Sequence, residues 1–196
     1  MGSYIEEFQG EHEKESDIVV TVDGESGAGK GTIADQISKR LRIAHFSASD
    51  VFHQIAQDRG ISHVELAEQA DKEVDLEVDR RTLQRGLENN CVIDSRIASW
   101  VLGDYSDFRV YVTADLEERA KRIAGREKID LEKAKEDTEK RDEENDRRYE
   151  DYYGIDTGNL EIYDLVIDNT DMSIGKQNEL IDKALKKRFP ERYEEQ

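Results

Sequence analysis

A chain of 196 residues, 36% apolar and 39% charged, is long enough for one well-buried core and too short for two ordinary domains. Its net charge of -18 argues against a nucleic-acid-binding protein, which needs cationic surface, and it has no apolar run of the roughly 18 residues that a membrane helix requires. The single cysteine, Cys91, excludes an internal disulfide. We therefore expect a cytoplasmic monomer without nucleic-acid or membrane partners.

Residues 1–16 carry five acids and one base, so we expect an acidic, disordered tail followed by one domain at 17–196. Short apolar runs with the character of buried strands occur at residues 17–23, 44–48, 91–95, 108–114 and 163–168. Helical spacing separates the runs, as in Ile33, Ile37 and Leu41 after the first. This alternation predicts an α/β fold in which a five-stranded parallel sheet is covered by helices on both faces, a three-layer sandwich.

The stretch GESGAGKGT directly follows the first predicted strand. Glycines spaced in this way let the backbone wrap around an anion, and the helix that follows adds its positive N-terminal end. Lys30 is expected to reach the β- and γ-phosphates of ATP. Thr32 supplies the hydroxyl for Mg²⁺ one residue later than in the strict pattern, because Gly31 takes that place. The predicted ATP site comprises Gly24, Glu25, Ser26, Gly27, Ala28, Gly29, Lys30, Gly31 and Thr32. The alternative is a glycine-rich turn that only caps a helix.

Polar residues close the second and third predicted strands. Asp94 ends the third strand and is expected to hold Mg²⁺ through water, with a turn or cap aspartate as the alternative. Arg96 follows two residues later and is expected to meet the phosphate of the second substrate; otherwise it is a surface arginine. Ser47 and Asp50, at the end of the second strand, either contact that substrate or only cap the next helix.

Residues 119–148 hold eleven basic and ten acidic residues, which makes them a basic island in an acidic chain. Three arginines recur at i, i+3 and i+7 and therefore share one helix face: Arg119, Arg122 and Arg126. A second helix repeats this spacing with Arg141, Asn145 and Arg148. Like charges stacked in this way repel unless a polyanion lies between them, so we predict a hinged cover over a triphosphate. The predicted catalytic residues are Lys30, Arg122, Arg126 and Arg141. The alternative is a solvated helical hairpin.

The remaining reactive side chains form no competing site. The four histidines, among them His45, lack metal-ligand spacing and are expected to be surface or packing residues. Cys91 lies inside an apolar strand and is expected to be inert. A nucleotide-binding switch is the alternative to an enzyme, although a switch needs neither a second arginine-rich segment nor Arg96.

Seven strings between about residues 18 and 182 resemble the short, archaeal-type cytidylate kinases of the phosphate-loop nucleoside monophosphate kinase family. They are GESGAGKGT, FSASDVFHQIAQDRG, DKEVDLEVDRR, CVIDSRIASW, RAKRIAGRE, RDEENDRRYEDYYGID and YDLVIDNT. The resemblance implies a nucleoside monophosphate-binding helical insert at about 50–88 and a helical lid at about 119–148. It also implies Mg²⁺-dependent transfer of the γ-phosphoryl group of ATP to CMP, and to dCMP, with an adenylate-type kinase as the alternative within the class.

The resemblance also bears on the CMP site. These relatives usually carry an arginine at the position of His53, and a mostly neutral imidazole offers one donor in place of a bidentate fork. We therefore expect Arg96 to hold more of the phosphate. Base choice is expected to rest on groups that match the cytosine edge, supplied either by Asp75 or Asp79 with Arg80, or by Asn145 with Arg148; a solvated helix face is the alternative for the first set. The predicted CMP site comprises Ser47, Asp50, His53, Asp75, Arg80, Arg96, Asn145 and Arg148.

Overall fold

The computed structural model describes residues 13–62, 65–66 and 72–194. Its strands are β1 Val19–Gly24, β2 Ala44–Ser47, β3 Cys91–Asp94, β4 Phe108–Thr113 and β5 Leu165–Asp168. All neighbouring pairs are parallel, and the spatial order is β2-β3-β1-β4-β5. Each strand overlaps one of the predicted apolar runs, so the prediction of a five-stranded parallel sheet is confirmed.

The helices with described bounds connect these strands or follow them. They are α1 Lys30–Leu41, α2 Ala48–Asp58, α3 Lys72–Glu88, α4 Ala98–Leu102, α5 Leu116–Glu127, α6 Leu131–Tyr153, α7 Ile174–Arg188 and α8 Pro190–Glu194. Short 3₁₀ turns lie at Gly103–Tyr105 and Leu160–Ile162. Within the described segments, no helix combines the length and the apolar character that crossing a bilayer requires.

The longest of these helices, α6, begins and ends at residues that suit its termini. The Asp130 side chain accepts a hydrogen bond from the Glu132 N–H at 3.0 Å and thereby caps the first turn. Gly154 ends the helix with φ +68°, a left-handed conformation that favours glycine. These two boundaries allow α6 to run uninterrupted past the predicted site residues at 141–148.

The core lies on both faces of the sheet. β1 is the central strand, and all six of its residues are buried. On one face Val20 and Val22 belong to an apolar cluster with residues of α1 and α7, namely Ile33, Ile37, Ile181 and Leu185. On the other face Val19 belongs to a cluster with residues of α3 and α4, namely Leu83, Leu87, Val101 and Leu102. Helices therefore cover both faces, and the predicted three-layer sandwich is confirmed.

Two smaller apolar clusters lie apart from the sheet. One joins α2 to Leu66 and α3 through Val51, Ile55 and Val74. The other joins α5 to α6 through Ala120, Ile123 and Ala134. Each helical pair thus has a small core of its own, which agrees with a helical insert at about 50–88 and a lid at about 119–148. The boundaries of both segments stay predictions.

The predicted tail falls largely on residues 1–12, which lie outside the described residues. The last part of that segment contacts the domain. Lys14 Nζ lies 2.5 Å from Asp107 Oδ2, and the Ser16 hydroxyl donates to the Gly86 carbonyl oxygen at 2.7 Å. Contacts with the domain therefore begin before residue 17.

Candidate active site

The glycine-rich loop joins the end of β1 to the start of α1, at the carboxyl edge of the sheet. Gly24 has φ +145°, and a Cβ atom at this position would lie 2.0 Å from the Val112 carbonyl oxygen on β4. Gly29 has φ +98° directly before α1. Both conformations favour glycine, and the turn between them presents backbone N–H groups at a helix N-terminus. The loop therefore has the shape expected of a phosphate-binding site.

Lys30, the first residue of α1, turns back over this loop. Its Nζ donates to the carbonyl oxygens of Gly24 and Glu25, both at 2.8 Å. Burial, assisted by the nearby Arg96 cation, lowers the pKa of the Lys30 amine to about 8, and the Asp94 carboxylate opposes this shift. The amine thus lies within the loop, while its contact with ATP phosphates stays a prediction.

The two residues that depart from the strict loop pattern lie in the first turn of α1. Gly31 and Thr32 are both exposed. Within the described chain, no atom lies within 4 Å of a Cβ built at Gly31. Packing therefore does not demand a glycine at this position.

Asp23, which the sequence analysis missed, lies fully buried at the end of β1. Its Oδ2 accepts hydrogen bonds from the Ser99 N–H and the Tyr163 hydroxyl, both at 3.0 Å. Burial raises the pKa of this carboxyl to about 6, although the two hydrogen bonds and the Lys30 cation favour its ionised form. The signal in the sequence is an acid that ends an apolar strand directly before the first loop glycine.

The buried Asp23 carboxyl makes the stability of the fold pH-dependent. Its pKa is about 6 in the folded chain and near the ordinary 3.8 in the unfolded chain, so the folded state binds more protons between these values. The contribution of Asp23 to the free energy of unfolding is therefore expected to fall, by at most about 3 kcal/mol, as the pH rises from about 4 to about 6. Asp23→Asn keeps an acceptor for both donors and is expected to flatten this slope in urea titrations across that range.

The matched control is Asp168→Asn. Asp168 is exposed at the end of β5, and hydrogen bonds from Thr170 lower the pKa of its carboxyl, which gives a contribution of the opposite sign. If the free energy of unfolding of Asp23→Asn depends on pH as steeply as that of the wild type, another group controls the pH dependence.

Asp94 is the last residue of β3 and Arg96 follows it; β3 pairs with β1 and therefore ends beside the loop. Arg96 Nη2 donates to the Ser26 hydroxyl oxygen inside the loop. Asp94 Oδ1 lies 2.6 Å from His45 Nε2, and this hydrogen bond raises the pKa of His45. His45 is half-buried, as a residue at the surface of the packed domain can be, and its contact with Asp94 had no signal in the sequence. The register pairs His45 with Val92, so its side chain leaves the same face of the sheet as that of Asp94.

Ser47 and Asp50 cap the start of α2. The Ser47 hydroxyl accepts from the Asp50 N–H at 3.1 Å, and Asp50 Oδ2 accepts from the Ser47 N–H at 3.3 Å, a reciprocal capping box. The structure thus shows the capping role that the sequence left open, and contact of either residue with CMP stays a prediction. His53 is exposed one turn later on α2.

α3 and α6 bring the two alternative base-contacting sets into one cluster. Arg148 Nη1 lies 3.2 Å from Asp75 Oδ2, and Arg148 Nη2 donates to Asn145 Oδ1. One turn further along α3, Asp79 accepts a hydrogen bond from the Tyr153 hydroxyl. Burial raises the pKa of the Asp79 carboxyl to about 7. The two helices thus supply hydrogen-bond acceptors and donors to a single place.

Arg80 lies outside this cluster. It is exposed and lines a surface depression of about 490 Å³ together with Arg59, Glu77 and Arg81. Adjacent helix residues point about 100° apart, so Arg80 leaves a different face of α3 from Asp79. A joint contact of Arg80 and Asp75 or Asp79 with the cytosine edge stays a prediction.

The three arginines predicted to be catalytic differ in their placement. Arg122 Nη1 lies against the loop, 3.3 Å from the Ala28 carbonyl oxygen. Arg126 is exposed and pairs with Glu127 of its own helix at 2.8 Å. Arg141 is exposed on α6. Contacts of Arg126 and Arg141 with ATP stay predictions.

Asn169, which the sequence analysis also missed, supports the loop from the end of β5. It is 5% exposed, its Nδ2 donates to the Ala28 carbonyl oxygen at 2.8 Å, and its Oδ1 accepts from Arg122 Nη1 at 2.9 Å. Its backbone N–H donates to the Thr113 carbonyl oxygen of β4 at 3.0 Å. Asn169 therefore ties the loop, the arginine of α5 and the sheet together. The only sequence signal is an amide directly after a strand.

A glycine-rich loop between the central strand of a parallel sheet and a helix that starts with lysine defines the class of phosphate-loop nucleotide-binding proteins. An uncharacterized protein from Eubacterium ventriosum has a similar structure, with a TM-score of 0.67 and 19% identity over 85% of this chain and 97% of that chain. A shikimate kinase from Bacteroides thetaiotaomicron gives a TM-score of 0.60 and 11% identity over 87% and 97% of the two chains. At these identities the likeness shows the fold alone.

The family follows from the sequence. A model described as the cytidylate kinase-like family matches residues 19–171. A cytidylate kinase from Staphylothermus marinus is 37% identical over 86% of this chain and 99% of that protein, and one from Ignicoccus hospitalis is 41% identical over 76% and 88%. One from Haloarcula marismortui is 38% identical over 76% and 80%. The chain belongs to the cytidylate kinase-like family and is a kinase, and the resemblance noted from its motifs is confirmed.

Proposed function

We propose that this chain transfers the γ-phosphoryl group of ATP to CMP, giving ADP and CDP, and that it also accepts dCMP. One observation supports this most: in a chain of this family, Arg96 touches Ser26 of the phosphate loop. A triphosphate in the loop and a monophosphate at Arg96 would therefore be neighbours. Direct transfer between two bound nucleotides requires that proximity.

The residues also fit a magnesium ion. Mg²⁺ prefers oxygen ligands and is usually held by one or two protein groups together with substrate phosphates and water. Thr32 offers a hydroxyl and Asp94 a carboxylate, and the described residues contain no group of three or more His, Cys, Asp or Glu that would form an all-protein metal cage. Thr32 would hold the ion directly and Asp94 through water. When bound, the ion neutralises charge on the β- and γ-phosphate oxygens.

The side chains of the protein position the two substrates and supply positive charge. The transition state of phosphoryl transfer spreads negative charge over the moving oxygens, so fixed cations lower the barrier without a covalent nucleophile. Lys30 and Arg122 supply such cations at the loop, and Arg96 orients the acceptor phosphate. Closure of α5 and α6 would bring Arg126 and Arg141 to the triphosphate and exclude water, which otherwise hydrolyses ATP.

A coupled assay of ADP release over CMP, dCMP, UMP and AMP tests this proposal. We expect kcat/KM for CMP to exceed that for AMP by about a hundredfold or more, the discrimination that a hydrogen-bonding base site provides. A preference for AMP would instead identify an adenylate-type kinase. Equal affinity for ATP with and without CMP, and no ADP release, would identify a nucleotide-binding switch.

Arg148→Ala is expected to reduce the CMP over AMP preference by about tenfold, because one charged contact in the base cluster is lost. Arg148 connects Asp75 on α3 with Asn145 on α6, so its removal loosens both partners. The measurement is kcat/KM for both nucleotides. Arg147→Ala is the matched control, since Arg147 is the exposed neighbour on the same helix. Unchanged discrimination in Arg148→Ala would remove this residue from base choice.

The cellular location, the partners and the oligomeric state of the enzyme are part of the same proposal. A single cysteine, which allows no internal disulfide, supports work in the reducing cytoplasm, with CMP, dCMP and ATP as small-molecule partners. We infer a monomer, which sedimentation at the assay concentration tests.

A further inference from the structure

Asp142, on α6, is an acid for which the proposed reaction provides no role. Its side chain is 16% exposed and lies between two arginines. Asp142 Oδ1 is 2.8 Å from Arg96 Nη1, and Asp142 Oδ2 is 2.5 Å from Arg119 Nη1. One carboxylate thus bridges guanidinium groups from the segment after β3 and from α5. Such paired, partly buried contacts are stronger than exposed ion pairs.

Arg119 is fixed to the phosphate loop by protein acceptors. It is 5% exposed, its Nε donates to the Ala114 carbonyl oxygen at 2.9 Å, and its Nη1 donates to the Ser26 carbonyl oxygen at 3.1 Å. Its Nη2 lies 3.1 Å from Glu25 Oε1. Its helical spacing with Arg122 and Arg126 predicted that Arg119 lies on a helix face that contacts a triphosphate. The structure instead turns its guanidinium to the loop backbone and to carboxylates, which makes it an anchor.

Arg96 is held on two sides. Asp142 contacts its Nη1, and the Ser26 hydroxyl oxygen accepts from its Nη2. A long arginine side chain has many rotamers, and fixing it in one of them costs conformational entropy. Two simultaneous partners hold it in one orientation before any substrate arrives, which reduces the cost of binding.

We propose that Asp142 is a positioning residue for phosphoryl transfer, because its carboxylate holds Arg96 and Arg119 together against Ser26. It thereby sets the place of the acceptor phosphate relative to the ATP loop. This inference rests on the proposed function, in which Arg96 meets the CMP phosphate. α6 also carries Asn145 and Arg148, so the same contact anchors the base cluster to the loop.

The variant Asp142→Asn tests the proposal. Its matched control is Glu143→Gln, which removes one charge from the exposed neighbouring position of α6. We expect Asp142→Asn to lower kcat with CMP by about tenfold or more and to raise KM for CMP, the scale of one lost charge-assisted contact. Asp142→Glu retains the charge and is expected to recover part of kcat. Glu143→Gln is expected to match the wild type.

Calorimetric titration with ATP alone gives a readout that does not depend on CMP turnover. Asp142→Asn is expected to weaken ATP binding severalfold, because Arg96 and Arg119 lose their common anchor at the loop. If the wild type does not phosphorylate CMP, the proposed function fails, and the titration still decides the role of Asp142.

Three results would overturn the proposal. The first is an Asp142→Asn protein with wild-type kcat and ATP affinity. The second is a lower KM for CMP in that variant, which would mean that the carboxylate competes with the acceptor phosphate for Arg96. If thermal melting shows that Asp142→Asn does not fold, Asp142→Ser decides: a loss of kcat supports the proposal, and wild-type kcat with wild-type ATP affinity, the third result, overturns it.

Discussion

Replacement of Lys30 by alanine is expected to lower kcat for CMP by about a hundredfold to a thousandfold, the loss that follows removal of one preorganised charge at a transition state. The Lys30 amine lies inside the loop, bonded to the carbonyl oxygens of Gly24 and Glu25. It is a cation of the loop itself, and alanine provides no charge to replace it. Steady-state measurement of kcat with CMP and ATP checks this expectation.

The stability of Lys30→Ala separates a catalytic effect from unfolding. Burial lowers the pKa of this amine to about 8, and this cost of burying the charge offsets the two hydrogen bonds that the amine donates to the loop. We therefore expect nearly unchanged thermal unfolding. Lys39→Ala is the matched control on the same helix, because Lys39 is 73% exposed and pairs only with Asp35 one turn away. Wild-type turnover in Lys30→Ala would refute the loop assignment.

Gly24→Ala is expected to lower the free energy of unfolding by about 3 to 5 kcal/mol, the sum of backbone strain and overpacking. Gly24 has φ +145°, which an alanine rarely adopts. The new Cβ would also lie 2.0 Å from the Val112 carbonyl oxygen, which belongs to the neighbouring strand and cannot rotate away. Urea titration measures this loss, and thermal unfolding is expected to shift down by roughly 10 °C.

Gly175→Ala is the matched control for this glycine. Gly175 lies in the first turn of α7, and no atom of the described chain lies within 4 Å of a Cβ built there. Alanine favours helix over glycine, so stability is expected to stay level or to rise by less than about 1 kcal/mol. Equal stability of Gly24→Ala and the wild type would mean that β1 and β4 can separate at the loop without cost.

Much of the site could be predicted from sequence because its signals are local. GESGAGKGT encodes its own backbone shape, since the glycines permit conformations that other residues rarely adopt. Asp94 and Arg96 could be assigned to the loop edge because parallel strands end at the same side of a sheet. The family strings then added the CMP hypothesis.

Other parts of the site had no local signal. Asn169 contacts Arg122 across 47 positions, and His45 contacts Asp94 across 49. Arg119 and Arg122 share one helical spacing, and the structure shows different protein acceptors at the two guanidinium groups: Asp142 contacts Arg119, and Asn169 contacts Arg122. Helical spacing places a side chain on a face, but it does not show what that face packs against.

The amino-acid sequence by itself therefore determined the α/β class, the strand order along the chain, the phosphate loop and the family, because periodicity, glycine spacing and motif strings act over a few residues. The tertiary structure alone decided which charges meet: Asp142 with Arg96 and Arg119, and Arg148 with Asp75. These pairs depend on strand register and helix rotation. A change of one residue in either turns a side chain to another face.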